Sequence, residues 1–165
     1  MSKVHPDVIR LVRYQSNIRC LSRVAAPKGF YTIPTEAGIG NRYVCYKPYA
    51  NEGVEWVAGQ IQHIIKQDGA VKMLIKRSVE LQPTAQDPFA AFWNEGFQAK
   101  MVSSKLSSHL EIVNASRVIA HTARWELTSE IAVVLNLCAV CITRFVTHVA
   151  ETAFFRIDHS VALTG

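Results

Sequence analysis

One stretch governs what this chain can become. Across residues 54–66 side chains alternate, with Val57, Gly59, Ile61, His63 and Ile65 on one side; across residues 71–77 Val71, Met73 and Ile75 alternate with Lys72, Lys76 and Arg77. A period of two is the signature of a strand with one face turned to a core. Between the runs stands Gln67-Asp68-Gly69, whose glycine accepts the positive φ that a tight hairpin turn demands. The pair predicts a β-hairpin and argues against a helical bundle.

The flanking chain extends that reading. Residues 42–46 are aromatic and β-branched; residues 97–102, 110–113, 118–123 and 133–137 read as further short strands, separated by serine-rich or Asn-Ala-Ser turns. Many short strands with polar turns predict a mainly β fold, a small twisted and partly closed β-barrel, in preference to a parallel α/β sheet. Residues 83–88 form a loop, after which Phe89, Phe92 and Trp93 suit a helical turn packed by aromatics. No low-complexity run or internal repeat interrupts the chain. With 165 residues, 49% of them hydrophobic and 19% charged, it is sized for one globular domain plus a tail and is too apolar to stay disordered.

Before the strands, Pro6 and Asp7 suit a first helical turn, where a missing N–H costs nothing and a carboxylate meets the positive end of the helix dipole. At 100° per residue Val8, Ile9, Leu11 and Val12 share a face opposite Arg10 and Arg13, and after Ser16-Asn17 the phase changes, with Ile18 and Leu21 opposite Arg19 and Arg23. Two short amphipathic pieces fit better than one continuous basic helix. Pro27, Gly29, Pro34, Gly38 and Gly40 mark residues 26–41 as a loop or linker. The expected organisation is a basic helical segment and linker over 1–41, a β-barrel module over 42–137, and an apolar tail over 138–165 that is ambiguous between helix and strand.

Charge is distributed unevenly. Eight basic and two acidic residues fall in the first fifty positions, while the remaining chain is close to neutral, so the net +5 is wholly N-terminal. Dense Lys and Arg attract polyanions, and Arg10, Arg13, Arg19, Arg23 and Lys28 are the expected phosphate contacts; a solvated surface is the plain alternative. The start of the chain has no apolar core of a signal peptide, and four cysteines are too few for a disulfide scaffold, so a reduced, intracellular protein is expected. Residues 131–142 are apolar but short of the roughly 20 residues that a bilayer requires, so no membrane span is expected.

Catalytic signatures are missing: there is no Walker loop and no Gly-x-Ser-x-Gly elbow, and Gly38-Ile39-Gly40 lacks the third glycine of a dinucleotide fingerprint. His121, alone on a strand, reads as a hydrogen-bonded structural residue. Cys138 and Cys141 have the spacing for one metal, with His148 and His159 as further candidate ligands, but their neighbours are apolar and the histidine spacing fits no common zinc pattern. Two buried apolar cysteines are the better reading. Nothing in the sequence brings Asp87, Glu111 and Glu126 together as a metal-binding triad. No catalytic residue, metal or cofactor is expected. Tyr43, Tyr46, Trp56 and Trp93 could instead form an aromatic cage over a methylated ammonium through cation–π attraction, against the alternative that their rings build the core.

The order of these segments resembles a known family. Tyr43-Val44-Cys45-Tyr46, Trp56-Val57-Ala58-Gly59-Gln60-Ile61 and Val71-Lys72-Met73-Leu74-Ile75 resemble a bromo-adjacent-homology-like β module. Asp87-Pro88-Phe89, residues 97–104, Leu110-Glu111-Ile112-Val113 and residues 118–124 resemble the C-terminal segment of fungal transposon-derived proteins of the Kyakuja-Dileera-Zisupton type. The resemblance spans about residues 40–137. It implies a non-enzymatic, chromatin- or DNA-associated module in the nucleus. A transposase's catalytic acids have no counterpart here, so transposition is not implied. Residues 138–165 depart from the expected polar continuation, and a structural module that packs against a larger protein, or self-associates through that tail, is the alternative expectation.

Overall fold

The computed structural model describes residues 6–12, 17–26, 28–34, 41–49, 54–81 and 87–138. The expected hairpin is its spine: β5, Val57–Gln67, turns at Asp68-Gly69 into β6, Ala70–Glu80. Asp68 and Gly69 have φ of 49° and 79°, the pair of positive values that a two-residue turn of type I′ needs to match the strands' twist.

Strands β4 (Tyr43–Tyr46), β7 (Ala99–Asn114), β8 (Val118–Glu126) and β9 (Ile131–Asn136) complete the body. They run antiparallel in the order β5-β4-β8-β9-β7-β6, and the β5–β6 pairing closes the ring into a six-stranded barrel. Closure gives each of the six ring strands two neighbours over part of its length, which shortens the open edges that invite aggregation. A further strand, β1 (Ile18–Leu21), lies outside the ring and pairs with Ile64–Gln67 of β5, beyond the point where β4 has left it.

Four local expectations are corrected. Ile18–Leu21, read as a second amphipathic helical piece, is strand β1, because Cys20 and Leu21 gain partners in Ile65 and Ile64 that a lone helix of this length could not offer. The stretch read as linker contains β3 (Gly29–Thr32), which pairs with β2 (Arg23–Ala26) as a small hairpin. Ile9, assigned to the apolar face of the first helix, is exposed, while Val8 of α1 (Pro6–Leu11) and Val12 just after it pack against Ile65 and Leu74.

The fourth correction concerns the serines. Residues 103–109, read as a turn, run inside β7, a single strand of 16 residues. Where β6 advances from Lys76 to Ser78, β7 advances from Leu110 to Leu106; where β6 advances from Ser78 to Glu80, β7 advances from Leu106 to Val102. Each step leaves extra residues on β7, the mark of bulges that bend a strand around a corner. Ser103 Oγ accepts the N–H of Lys105 and Ser107 Oγ that of His109, both at 3.1 Å. One serine in each bulge thus supplies an acceptor for a backbone donor the irregular ladder cannot match.

A bulge also redirects β5. Ile61 faces Ile75 but His63 faces Leu74, so Gln62 is an extra residue and the simple alternation shifts phase there. Ile61 and Ile64 then share the main cluster with Tyr31, Val44, Tyr46, Met73 and Ile75, while Ile65 joins Val8 under the helix. A second cluster, small-residue rich, gathers Cys45, Trp56, Ala58, Val102, Ala120, Ala132 and Val134.

Candidate binding site

The second cluster leads to a cavity. Arg124 on β8 faces Val134 on β9, which faces Lys100 on β7, so these three lie in one cross-strand row beside Val102 and Ala132. Lys100 therefore sits on a core-facing row, and its ammonium Nζ lies 4.3 Å from the centre of the Trp56 ring and 5.1 Å from that of Trp93. It also donates a hydrogen bond of 3.1 Å to the main-chain oxygen of Trp56.

Each wall is held by local chemistry. Trp56, just before β5, is buried. Trp93 belongs to a 3₁₀ helix, Ala90–Glu95, that ends at Gly96 with a φ of 87°, a conformation glycine adopts without cost. Its indole N–H donates to Ala99 O at 2.8 Å. Asp87 fastens the segment at both ends, accepting the Phe89 N–H at 2.9 Å and the Met101 N–H at 3.1 Å. The helical turn anticipated from Phe89, Phe92 and Trp93 is thereby fixed as one wall of the site.

The cavity has a volume of about 460 Å³ and is lined by Glu55, Trp56, Glu80, Asp87, Trp93 and Lys100 among others, within the range of small-ligand pockets. Burial holds the Lys100 ammonium below the usual lysine range; Glu80, Glu55 and Asp87 counteract this and Arg77 reinforces it. Two indole faces and three carboxylates make the site one for positive charge, since ring quadrupole and carboxylates act in the same sense.

Of the four aromatics considered for a cage, the structure brings together Trp56 and Trp93. Tyr46 is buried in the main cluster, its hydroxyl donating to Glu111 Oε2 at 2.8 Å. Tyr43 lies apart, its ring 5.2 Å from the Arg42 guanidinium carbon and 5.9 Å from that of Arg124. The place of the two tyrosines is taken by residues that were not among the cage candidates: Lys100, Glu55 and Glu80. Cross-strand pairing with Val134 is what turns Lys100 toward the row, and that pairing joins residues over thirty positions apart, beyond the reach of local periodicity.

The basic residues are exposed but dispersed. Arg10, Arg19, Arg23 and Lys28 face solvent, and Arg13 lies outside the described residues. Ile18 and Cys20 pack toward α1, so Arg19 between them points to the opposite face from the helix that carries Arg10. Arg19 stands directly across from Lys66, and among the described residues no carboxylate pairs with either.

Asp87, Glu111 and Glu126 are engaged separately: Asp87 as above, Glu111 with Tyr46 and with Arg77 at 3.8 Å, and Glu126 with Arg124 at 3.9 Å. Among the described residues no three His, Cys, Asp or Glu side chains are grouped to hold a metal, and no helix is long and apolar enough to cross a membrane. Cys138 donates its N–H to Asn136 Oδ1, whereas Cys141, His148 and His159 lie outside the described residues together with the rest of the tail. His121 stacks on Tyr31, ring centres 4.6 Å apart, and burial lowers its pKa while hydrogen bonds to the backbone of Tyr43 and Phe30 oppose the shift.

Comparison with models of known protein families, with curated proteins and with solved structures finds no match.

Proposed function

We propose that this chain is a non-enzymatic interaction module that recognises a cationic side chain on a protein partner through the Trp56–Trp93 cavity. The observation that carries this reading is an ammonium, that of Lys100, standing over both indoles inside a cavity bordered by three carboxylates. The lysine-rich proteins of chromatin are partners of that chemistry, in keeping with the resemblance to a bromo-adjacent-homology-like module, a transposon-derived origin and a nuclear setting.

The test is a binding series with peptides that differ at one position, carrying trimethyl-lysine, lysine or the uncharged norleucine. Binding is expected to follow that order, and Trp93→Ala to weaken the trimethyl-lysine peptide about tenfold, the scale of a desolvated cation–π contact. Equal affinity for the norleucine peptide would overturn the reading.

DNA is the second reading, and the Arg19–Lys66 pair is the observation that favours it. Like charges directly opposite on paired strands repel in the free protein, and a phosphate between them turns that repulsion into attraction.

A further inference from the structure

We propose that Lys100 is the resident occupant of the cavity, an internal ammonium that a partner's cation must displace, so that the module is held closed by its own side chain. This inference rests on the cavity being a cation site and adds how access to it is governed.

Three features support displacement over a fixed structural role. Among the described residues Lys100 forms no salt bridge; its recorded partners are two ring faces and one main-chain oxygen. No carboxylate therefore locks the ammonium in place, and an incoming cation can take over the same ring contacts. The cavity, at about 460 Å³, is many times the volume of a single bound water. It has room for a second alkylammonium group beside the lysine stem. Finally, Lys100 projects from β7, whose ladder to β9 holds the backbone while four methylenes leave the head group free to swing.

The groups facing Lys100 set how the competition varies with pH. Glu80 and Arg77 lie on β6, Glu55 precedes β5, and Asp87 precedes the 3₁₀ helix. The three carboxylates favour the charged amine, whereas burial and Arg77 disfavour it, and burial dominates. The resident ammonium is thus lost at a lower pH than an exposed lysine's would be. A competitor with permanent charge gains affinity as that proton leaves.

Tetramethylammonium, whose charge does not titrate, is the probe, titrated into the full chain and followed by NMR of the Trp93 indole N–H. Lys100→Met is expected to bind it about tenfold more tightly than the unmodified chain, because an apolar side chain of similar length replaces the competing charge. Lys100→Arg is expected to show no gain, since a guanidinium still covers the rings. Affinity of the unmodified chain is expected to rise from neutral pH toward about pH 10, while that of Lys100→Met stays level. If both chains bind with the same affinity and pH dependence, Lys100 is no competitor and the inference fails while the cation site stands. If neither chain binds although both melt cooperatively, the cation site itself is refuted, and this inference with it.

Discussion

Gly59 has no room for a side chain. A Cβ there would lie 2.4 Å from Ile75 Cγ2 and 2.9 Å from the Lys76 carbonyl oxygen, and the latter, being backbone, cannot step aside. Gly59→Ala is expected to cost about 1–3 kcal/mol, the scale of overpacking in a filled core, read as a fall in the urea midpoint at unchanged slope. His121 makes a different demand on the fold. Its folded pKa lies below 6.5, so between that depressed value and 6.5 the unfolded chain binds more protons and stability falls as pH drops through the interval. Replacing it with glutamine is expected to flatten that part of the stability curve relative to the unmodified chain, as checked by denaturant melts at several pH values. Gly29 lets the backbone of β3 approach the His121 ring, because a Cβ there would sit 2.9 Å from His121 Nε2. At this scale the sequence was partly legible. It marked Trp56 and Trp93 as candidates through residue type alone, and it was silent on Lys100, whose orientation depends on β9.

At the scale of elements, the β5–β6 hairpin shows what local chemistry can specify. Gly69 has a φ of 79° and nothing within 4 Å of where a Cβ would sit, so Gly69→Ala tests conformation without crowding. A loss of about 1–2 kcal/mol is expected in thermal or urea melts, the cost of a left-handed backbone for an L-residue. This hairpin, β4, β9 and the aromatic 3₁₀ turn were readable because period, turn residues and length agreed. Strand β7 was not, since Ser103 and Ser107 bond to backbone two residues on in a bulge as they would in a turn. Only the partner strand, β6, tells the two apart. Strand β1 was missed for a related reason: its four residues carry too short a pattern to separate strand from helix until β5 is beside them.

Across the whole molecule, charge and topology decide what can approach. Lys66→Glu is expected to stabilise the free protein by about 0.2–1 kcal/mol, by turning a facing repulsion with Arg19 into attraction. On the DNA reading it should also weaken duplex binding and make the salt dependence shallower, because at least one phosphate contact is lost. Stability is read by melts and binding by titration at several salt concentrations; a stabilised variant with undiminished DNA affinity would remove this face from the interface. Closure of the six-stranded ring carries one more consequence. Beside the hollow, β7 pairs with β9 over residues 99–103 on one side, and on the other Ala99 O and Met101 N–H are taken by Trp93 and Asp87, so an extended peptide has no vacant rung there on which to zip itself in. Selectivity for a guest through the Trp56–Trp93 hollow must then come from the shape and charge of one protruding group, with the guest's main chain contributing little.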